Sequence, residues 1–210
     1  NLTNEGKEEN QIFFVGNTMI DSLIRFEEHF NGQSILTENN IQKGQFVLVT
    51  IHRPSNVDNP TQFYELINML NKIANKYHVI WPIHPRTKKI IDENNISLNN
   101  KIITMPPVGY LEFMGLQKSA KFIITDSGGV QEESTYFGVP CFTVRENTER
   151  PITITEGSNK LAGTDFKLVL DLINNALLST KRISLKPKYW DGKASDRIAL
   201  IFDKYFEKIN

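Results

Sequence analysis

Short apolar runs rich in β-branched and aromatic residues recur along this 210-residue chain, and longer amphipathic stretches separate them. Strands joined through helices lie parallel, because a crossover helix carries the chain back to the same end of the sheet before the next strand starts. The expected fold class is therefore α/β, with a Rossmann-like, doubly wound parallel sheet. Residues 12–15, 46–51, 79–83, 102–105, 122–125 and 141–144 are the strand candidates. Between the second and third, Phe63, Leu66, Ile67, Leu70, Ile73 and Ala74 recur at helical spacing behind Pro60, which predicts a helix over 60–77. Shorter helices are expected over 110–120 and 129–137, the latter closed by Gly138 and Pro140, and amphipathic ones over 166–178 and 194–209. Residues 152–156 are ambiguous, since Ile-Thr-Ile-Thr favours strand while Pro151 can open a helix.

Thr125-Asp126-Ser127-Gly128-Gly129-Val130-Gln131-Glu132-Glu133 follows one of these apolar runs and opens a helical stretch. Two adjacent glycines at a helix start let an anion approach bare backbone, where unpaired N–H groups and the positive end of the helix dipole favour negative charge. Ser127 adds a hydroxyl donor. Glu133 cannot share that phosphate, because like charges repel, so its expected partner is a neutral diol such as a ribose. Phosphate and ribose together indicate a nucleotide.

Other strand ends point to the same cleft, since ligands of open α/β sheets gather at the carboxyl ends of the strands. The run 46–51 ends in His52-Arg53-Pro54-Ser55-Asn56, and the run 79–83 ends in His84-Pro85-Arg86. Histidine suits proton transfer near neutral pH, and arginine suits pairing with phosphate. His84 taken alone reads as a capping residue, whereas His52 beside the glycine loop reads as functional. Arg150, in the polar stretch 145–151, reads as an anion clamp, against the alternative of a solvated loop whose charges pair with one another. Phe113 is expected in the core, with its backbone available to a base edge.

Twenty-four basic residues against twenty-four acidic ones leave a formal net charge of zero, so nothing points to nucleic acid or to an anionic membrane. One cysteine, Cys141, excludes an internal disulfide framework, and a reducing cytoplasm is the expected compartment. No apolar run approaches the roughly 20 residues that span a bilayer. No metal ligand set and no cofactor motif is apparent.

Taken together, these stretches resemble the C-terminal half of the non-hydrolysing UDP-N-acetylglucosamine 2-epimerases. The matching pieces are Phe14-Val15-Gly16-Asn17-Thr18-Met19-Ile20-Asp21, Thr50-Ile51-His52-Arg53 with Asn56, His84-Pro85, Thr125 to Glu133, Asn147-Thr148-Glu149-Arg150-Pro151, and Gly192-Lys193-Ala194-Ser195-Asp196-Arg197-Ile198. The resemblance implies the C-terminal, UDP-binding domain of a two-domain GT-B enzyme. Residues 1–17 would then be the tail of a first domain and the connection from it, with 12–15 as that domain's orphaned last strand, 18–192 the nucleotide-binding domain, and 193–210 a helix crossing back to the first domain. It implies further that Ser127, Gly128 and Gly129 hold the diphosphate, Glu133 the ribose, Phe113 the uracil through its backbone, and Arg53, His84 and Arg150 other parts of the substrate. His52 would stand nearest the reacting centre.

The implied activity interconverts UDP-N-acetylglucosamine and UDP-N-acetylmannosamine by eliminating UDP and re-adding it with inversion at C2, in the service of polysaccharide biosynthesis. The family's acidic catalytic residues come from its N-terminal domain, so this chain alone is expected to bind UDP without turnover. The full-length enzyme is expected to be a homodimer, whereas this chain can be monomeric. A hydrolysing 2-epimerase, which releases UDP and N-acetylmannosamine, and a GT-B glycosyltransferase are the alternatives. The family's His-Arg-Arg-Glu-Asn stands here as His52-Arg53-Pro54-Ser55-Asn56, and its Arg-Pro-Glu as Arg150-Pro151-Ile152. An arginine and a carboxylate beside His52 are thereby absent.

Overall fold

Phe46, Val47, Leu48 and Val49 are consecutive and all fully buried, as a strand covered on both faces requires. The computed structural model describes residues 2–178 and 186–207. Its elements run in the order α1 (Thr18–Phe26), α2 (Gln33–Glu38), β1 (Phe46–Thr50), α3 (Pro54–Val57), α4 (Pro60–Ala74), β2 (His78–Pro82), α5 (Pro85–Glu93) and β3 (Ile102–Met105). There follow α6 (Tyr110–Ser119), β4 (Phe122–Thr125), α7 (Gly128–Phe137), β5 (Cys141–Thr143), α8 (Ile152–Thr155), β6 (Asn159–Leu161), α9 (Phe166–Leu178) and α10 (Ala194–Glu207).

The chain divides into two units, Asn1–Glu27 with Lys188–Asn210, and Glu28–Pro187. The second holds the sheet, whose six strands are parallel in the order β3-β2-β1-β4-β5-β6. Alternation along the strands divides the core between the two faces. Val47 and Val49 join Phe63, Leu66, Leu70 and Phe166 on one side, and Phe46 and Leu48 join Leu36, Leu116 and Val130 on the other. Helix α4 is set by its ends as well as its apolar stripe, because Asn59 caps Gln62 N at 3.1 Å and Pro60 takes the first turn, where no N–H is needed.

In the first unit, Asp21 on α1 accepts the N–H of Ala194 at 3.1 Å and of Ser195 at 2.7 Å, and so closes the N-terminus of α10. Burial opposes its charge, but these bonds outweigh that penalty and hold the carboxyl below its ordinary range. Arg197 donates to the Val15 carbonyl at 3.1 Å and lies 4.2 Å from the centre of the Tyr189 ring.

The structure corrects several expectations. Residues 12–15 form no strand: none among the described residues pairs with them, and a strand without a partner leaves its N–H and C=O groups unpaired. Ile152–Thr155 is helical, so the proline at 151 prevails over local strand propensity. Helix α5 and strand β6 were not anticipated. Pro85 opens the former, while Asn159, Lys160 and Leu161 of the latter make no apolar run. Of the helix expected over 194–209, positions 208 and 209 lie outside the described residues.

Candidate active site

The strand order reverses between β1 and β4, which are sequential neighbours of different strands yet lie side by side. Loops leaving these two strands diverge to opposite faces of the sheet, and the crevice between them is where an open α/β sheet takes its ligand. The loop after β1 carries His52 and Arg53, and the loop after β4 carries Asp126, Ser127 and Gly128.

Asp126 joins those loops. Its carboxylate is fully buried and accepts His52 N at 3.0 Å, Arg53 N at 2.8 Å and Asn56 Nδ2 at 3.0 Å. His52 Nδ1 lies 3.3 Å from Asp126 Oδ1, so the imidazole is oriented from one side while its ring stays half-exposed. Arg53 Nε donates to the Asp126 carbonyl at 3.0 Å, and Asn56 Nδ2 also reaches the Val144 carbonyl at 3.2 Å. One acid thus fixes the ends of β1, β4 and β5 together.

Helix α7 starts at Gly128 with no side chain capping its first turn. Its leading N–H groups and the dipole behind them favour negative charge, and the half-buried Ser127 stands at the N-cap. The facing loop is held by charge pairing. Arg145, which is buried, grips Glu149 with two bonds of 2.7 and 2.8 Å and Asn147 with one of 3.0 Å. That bidentate contact takes the Glu149 carboxyl down to about 2. Gln131, on α7, accepts from Thr148 Oγ1 at 2.6 Å and donates to the Ser127 carbonyl at 3.2 Å, which ties the facing loop to the helix start.

Glu133 is buried one turn and a half into α7, where Gln117 Nε2 on α6 donates to its Oε2 at 2.6 Å. Burial pushes its carboxyl up, the Gln117 bond opposes that, and the charge of Glu132 adds to it. Burial and the Glu133 charge likewise raise the Tyr110 hydroxyl. Arg150 Nε stands 2.9 Å from Glu132 Oε1, close enough to pair charges though not aligned as a hydrogen bond.

The structure therefore brings His52, Arg53, Ser127, Gly128, Gly129 and Glu133 onto the two loops and one helix of the crevice, and links Arg150 to them through Glu132, Thr148 and Gln131. His84 acts as the N-cap of α5, accepting Arg86 N at 3.2 Å, and Arg86 bridges to Asp58 at 2.9 Å. Phe113 packs its ring among the residues of the second core face, and its N–H donates to the Gly109 carbonyl at 2.9 Å within α6. Asp126, Gln117, Gln131, Arg145 and Glu149 went unrecognised as site residues. The available signal was polar side chains at positions where the pattern demands burial. Among the described residues, no three His, Cys, Asp or Glu are placed to hold a metal ion, and no helix is long and apolar enough to cross a membrane. Cys141 is fully buried, its thiol pushed up to about 12 by loss of solvent.

A sequence profile described as UDP-N-acetylglucosamine 2-epimerase matches residues 1–203. The chain belongs to the UDP-N-acetylglucosamine 2-epimerase family. A UDP-N-acetylglucosamine 2-epimerase of Methanocaldococcus jannaschii is 39% identical over 98% of this chain and 58% of its own length. A Pseudomonas aeruginosa relative named UDP-2,3-diacetamido-2,3-dideoxy-D-glucuronate 2-epimerase is 37% identical over 95% of this chain and 55% of its own length. The crystal structure of the M. jannaschii epimerase in complex with UDP-GlcNAc and UDP superposes with a TM-score of 0.80 at 38% identity, covering 97% of this chain and 57% of that one. The chain thus spans little more than half the length of these 2-epimerases.

Proposed function

We propose that this chain is the UDP-binding part of an enzyme that interconverts UDP-N-acetylglucosamine and UDP-N-acetylmannosamine. The observation that carries this reading is the uncapped, glycine-led start of α7 at the crossover between β1 and β4, with a buried carboxylate, Glu133, further along the same helix. The first-turn N–H groups, Ser127 and Arg150 neutralise the diphosphate, and Glu133 takes the ribose hydroxyls. Expulsion of UDP breaks the anomeric C–O bond, with the electron pair leaving on the diphosphate, while a base removes the C2 proton. Return of the proton to the other face of the glycal and re-addition of UDP complete the inversion. His52, oriented by Asp126, stands at the mouth of the crevice as one acid or base of that pair. Its partner comes from outside this chain, which by itself binds UDP and turns nothing over.

A second sugar fits the same nucleotide reading, because the P. aeruginosa relative is named for a UDP-linked diacetamido uronate. Titration calorimetry with UDP, followed by product analysis with each UDP-sugar, tests both. The proposal expects UDP to bind and to stabilise the chain by about 2.7 kcal/mol at a hundredfold excess over Kd. It expects no product from the chain alone, and UDP-N-acetylmannosamine from a protein of the relatives' full length. Absence of UDP binding would overturn the proposal. Free N-acetylmannosamine with UDP as the products of the longer protein would replace it with the hydrolysing reaction.

A further inference from the structure

Gln117 is fully buried in α6, yet only half of its amide is matched. Nε2 donates to Glu133 Oε2 at 2.6 Å, whereas Oε1 is buried without a hydrogen-bond partner among the described residues. The orientation is forced, because turning the amide over would set its oxygen against a carboxylate oxygen. A leucine at 117 would fill the same space without an orphaned amide oxygen but would leave the buried Glu133 carboxylate without its donor, so it is Glu133, not packing, that accounts for an amide there. What the amide does supply is a donor for a carboxylate that α7 holds out of water.

We infer that Gln117 is a positioning residue that holds the Glu133 carboxylate in place for the ribose diol of a uridine nucleotide. The inference rests on the nucleotide reading proposed above. An ionised carboxylate has about four acceptor directions, and one amide N–H engages only one of them, which leaves Oε1 and the far side of Oε2 for two hydroxyls. The neutral donor fixes the rotamer without neutralising the charge that makes Glu133 a strong acceptor. A lysine or arginine at 117 would pair with the carboxylate and compete with the diol. The titratable groups facing Glu133 are Tyr110 from α6 and Glu132 from its own helix, while Arg150, from the loop ahead of α8, is turned to Glu132. Among the described residues Gln117 is thus the side-chain donor to Glu133, and its removal makes the ionised form harder to keep as pH falls.

The experiment compares UDP with 2′-deoxy-UDP by titration calorimetry between pH 5 and 8 for the wild-type chain, Glu133→Ala, Gln117→Leu and Gln117→Glu, with thermal unfolding of each in the absence of nucleotide. The wild type should favour UDP, and Glu133→Ala should erase that preference. If it does not, the ribose reading itself fails, whatever Gln117 does. With Glu133 intact, Gln117→Leu should lower the preference by about tenfold and move the acid loss of UDP binding to higher pH. Gln117→Glu should be weak at pH 8, where two carboxylates face each other, and recover on acidification as one protonates and donates to the other. A purely structural residue would lower the unfolding temperature without these pH shifts. Wild-type preference and wild-type pH profiles in Gln117→Leu, or in Gln117→Glu where the leucine variant does not fold, would overturn the inference.

Discussion

Asp126 and Arg53 are joined twice: Arg53 N donates to Asp126 Oδ2 at 2.8 Å, and Arg53 Nε donates to the Asp126 carbonyl at 3.0 Å. The same carboxylate takes the His52 N–H and the Asn56 amide, so every group around it is a donor. Asp126→Asn turns one acceptor into an NH2 facing those donors, and Asp126→Ala removes both acceptors. The expected losses are about 1–3 kcal/mol for the asparagine and more for the alanine, with UDP affinity falling in parallel. Urea midpoints and a UDP titration check this, and an unaffected Asp126→Ala would mean that the loop after β1 is held by something else.

Gly128→Ala separates folding from binding. A Cβ at 128 would meet only Glu149 Oε2, at 4.0 Å, and alanine is a better helix residue than glycine. The substituted chain should therefore be unchanged in stability or gain up to about 1 kcal/mol. If a diphosphate rests on this backbone, the added methyl intrudes on it, and UDP affinity should fall by about tenfold or more. Parallel thermal melts and titrations give both numbers, and full affinity in the alanine variant would move the diphosphate away from Gly128.

The strands and the glycine-led helix were legible because burial writes itself locally. The apolar run from Phe46 to Ile51 stops where the chain leaves the sheet, and two glycines mark a backbone that must stay bare. Asp126 stands within the motif but its task is not visible there, because its bonds run to residues 70 to 74 positions away. Gln117 was hidden likewise, since its partner lies on the next helix. Strand β6 escaped because Asn159 is buried through bonds to Thr143, Gln131 and Thr153 rather than through apolar character. Residues 12–15 carry strand chemistry, but a strand forms only beside a partner, and none among the described residues pairs with them.

Glu149 contributes stability at neutral pH that is lost on acidification. Its carboxyl is lowered from 4.5 to about 2 by the Arg145 bonds, so the contribution is complete above the unfolded value and disappears as pH falls from 4.5 toward 2. Glu149→Gln should remove that component, giving a shallower fall in urea midpoint across this window than the wild type shows. The two curves should converge near pH 2. Identical slopes in both proteins would mean that the Arg145 pair does not hold the loop in solution.

Gly115 and Gly32 set where α6 lies, and with it Gln117 and Tyr110. A Cβ on Gly32 would sit 2.7 Å from Leu116 N and 2.9 Å from the Gly115 carbonyl carbon, and one on Gly115 would sit 2.9 Å from the Asn31 carbonyl carbon. These are backbone atoms, which cannot rotate aside as a flexible side chain would, so α6 must move away from the start of α2. Gly115→Ala should cost about 1–3 kcal/mol or more, a fall in Tm of roughly 2–4 °C for each kcal/mol in a chain of this size. Because Gln117 Nε2 meets Glu133 at 2.6 Å, even a small retreat of α6 breaks that bond, and UDP affinity should fall beyond what the loss of folded protein explains. Titrations well below the new Tm isolate this second effect. A Gly115→Ala chain that melts early yet binds UDP normally would show that α6 gives way elsewhere along its length and keeps its hold on Glu133.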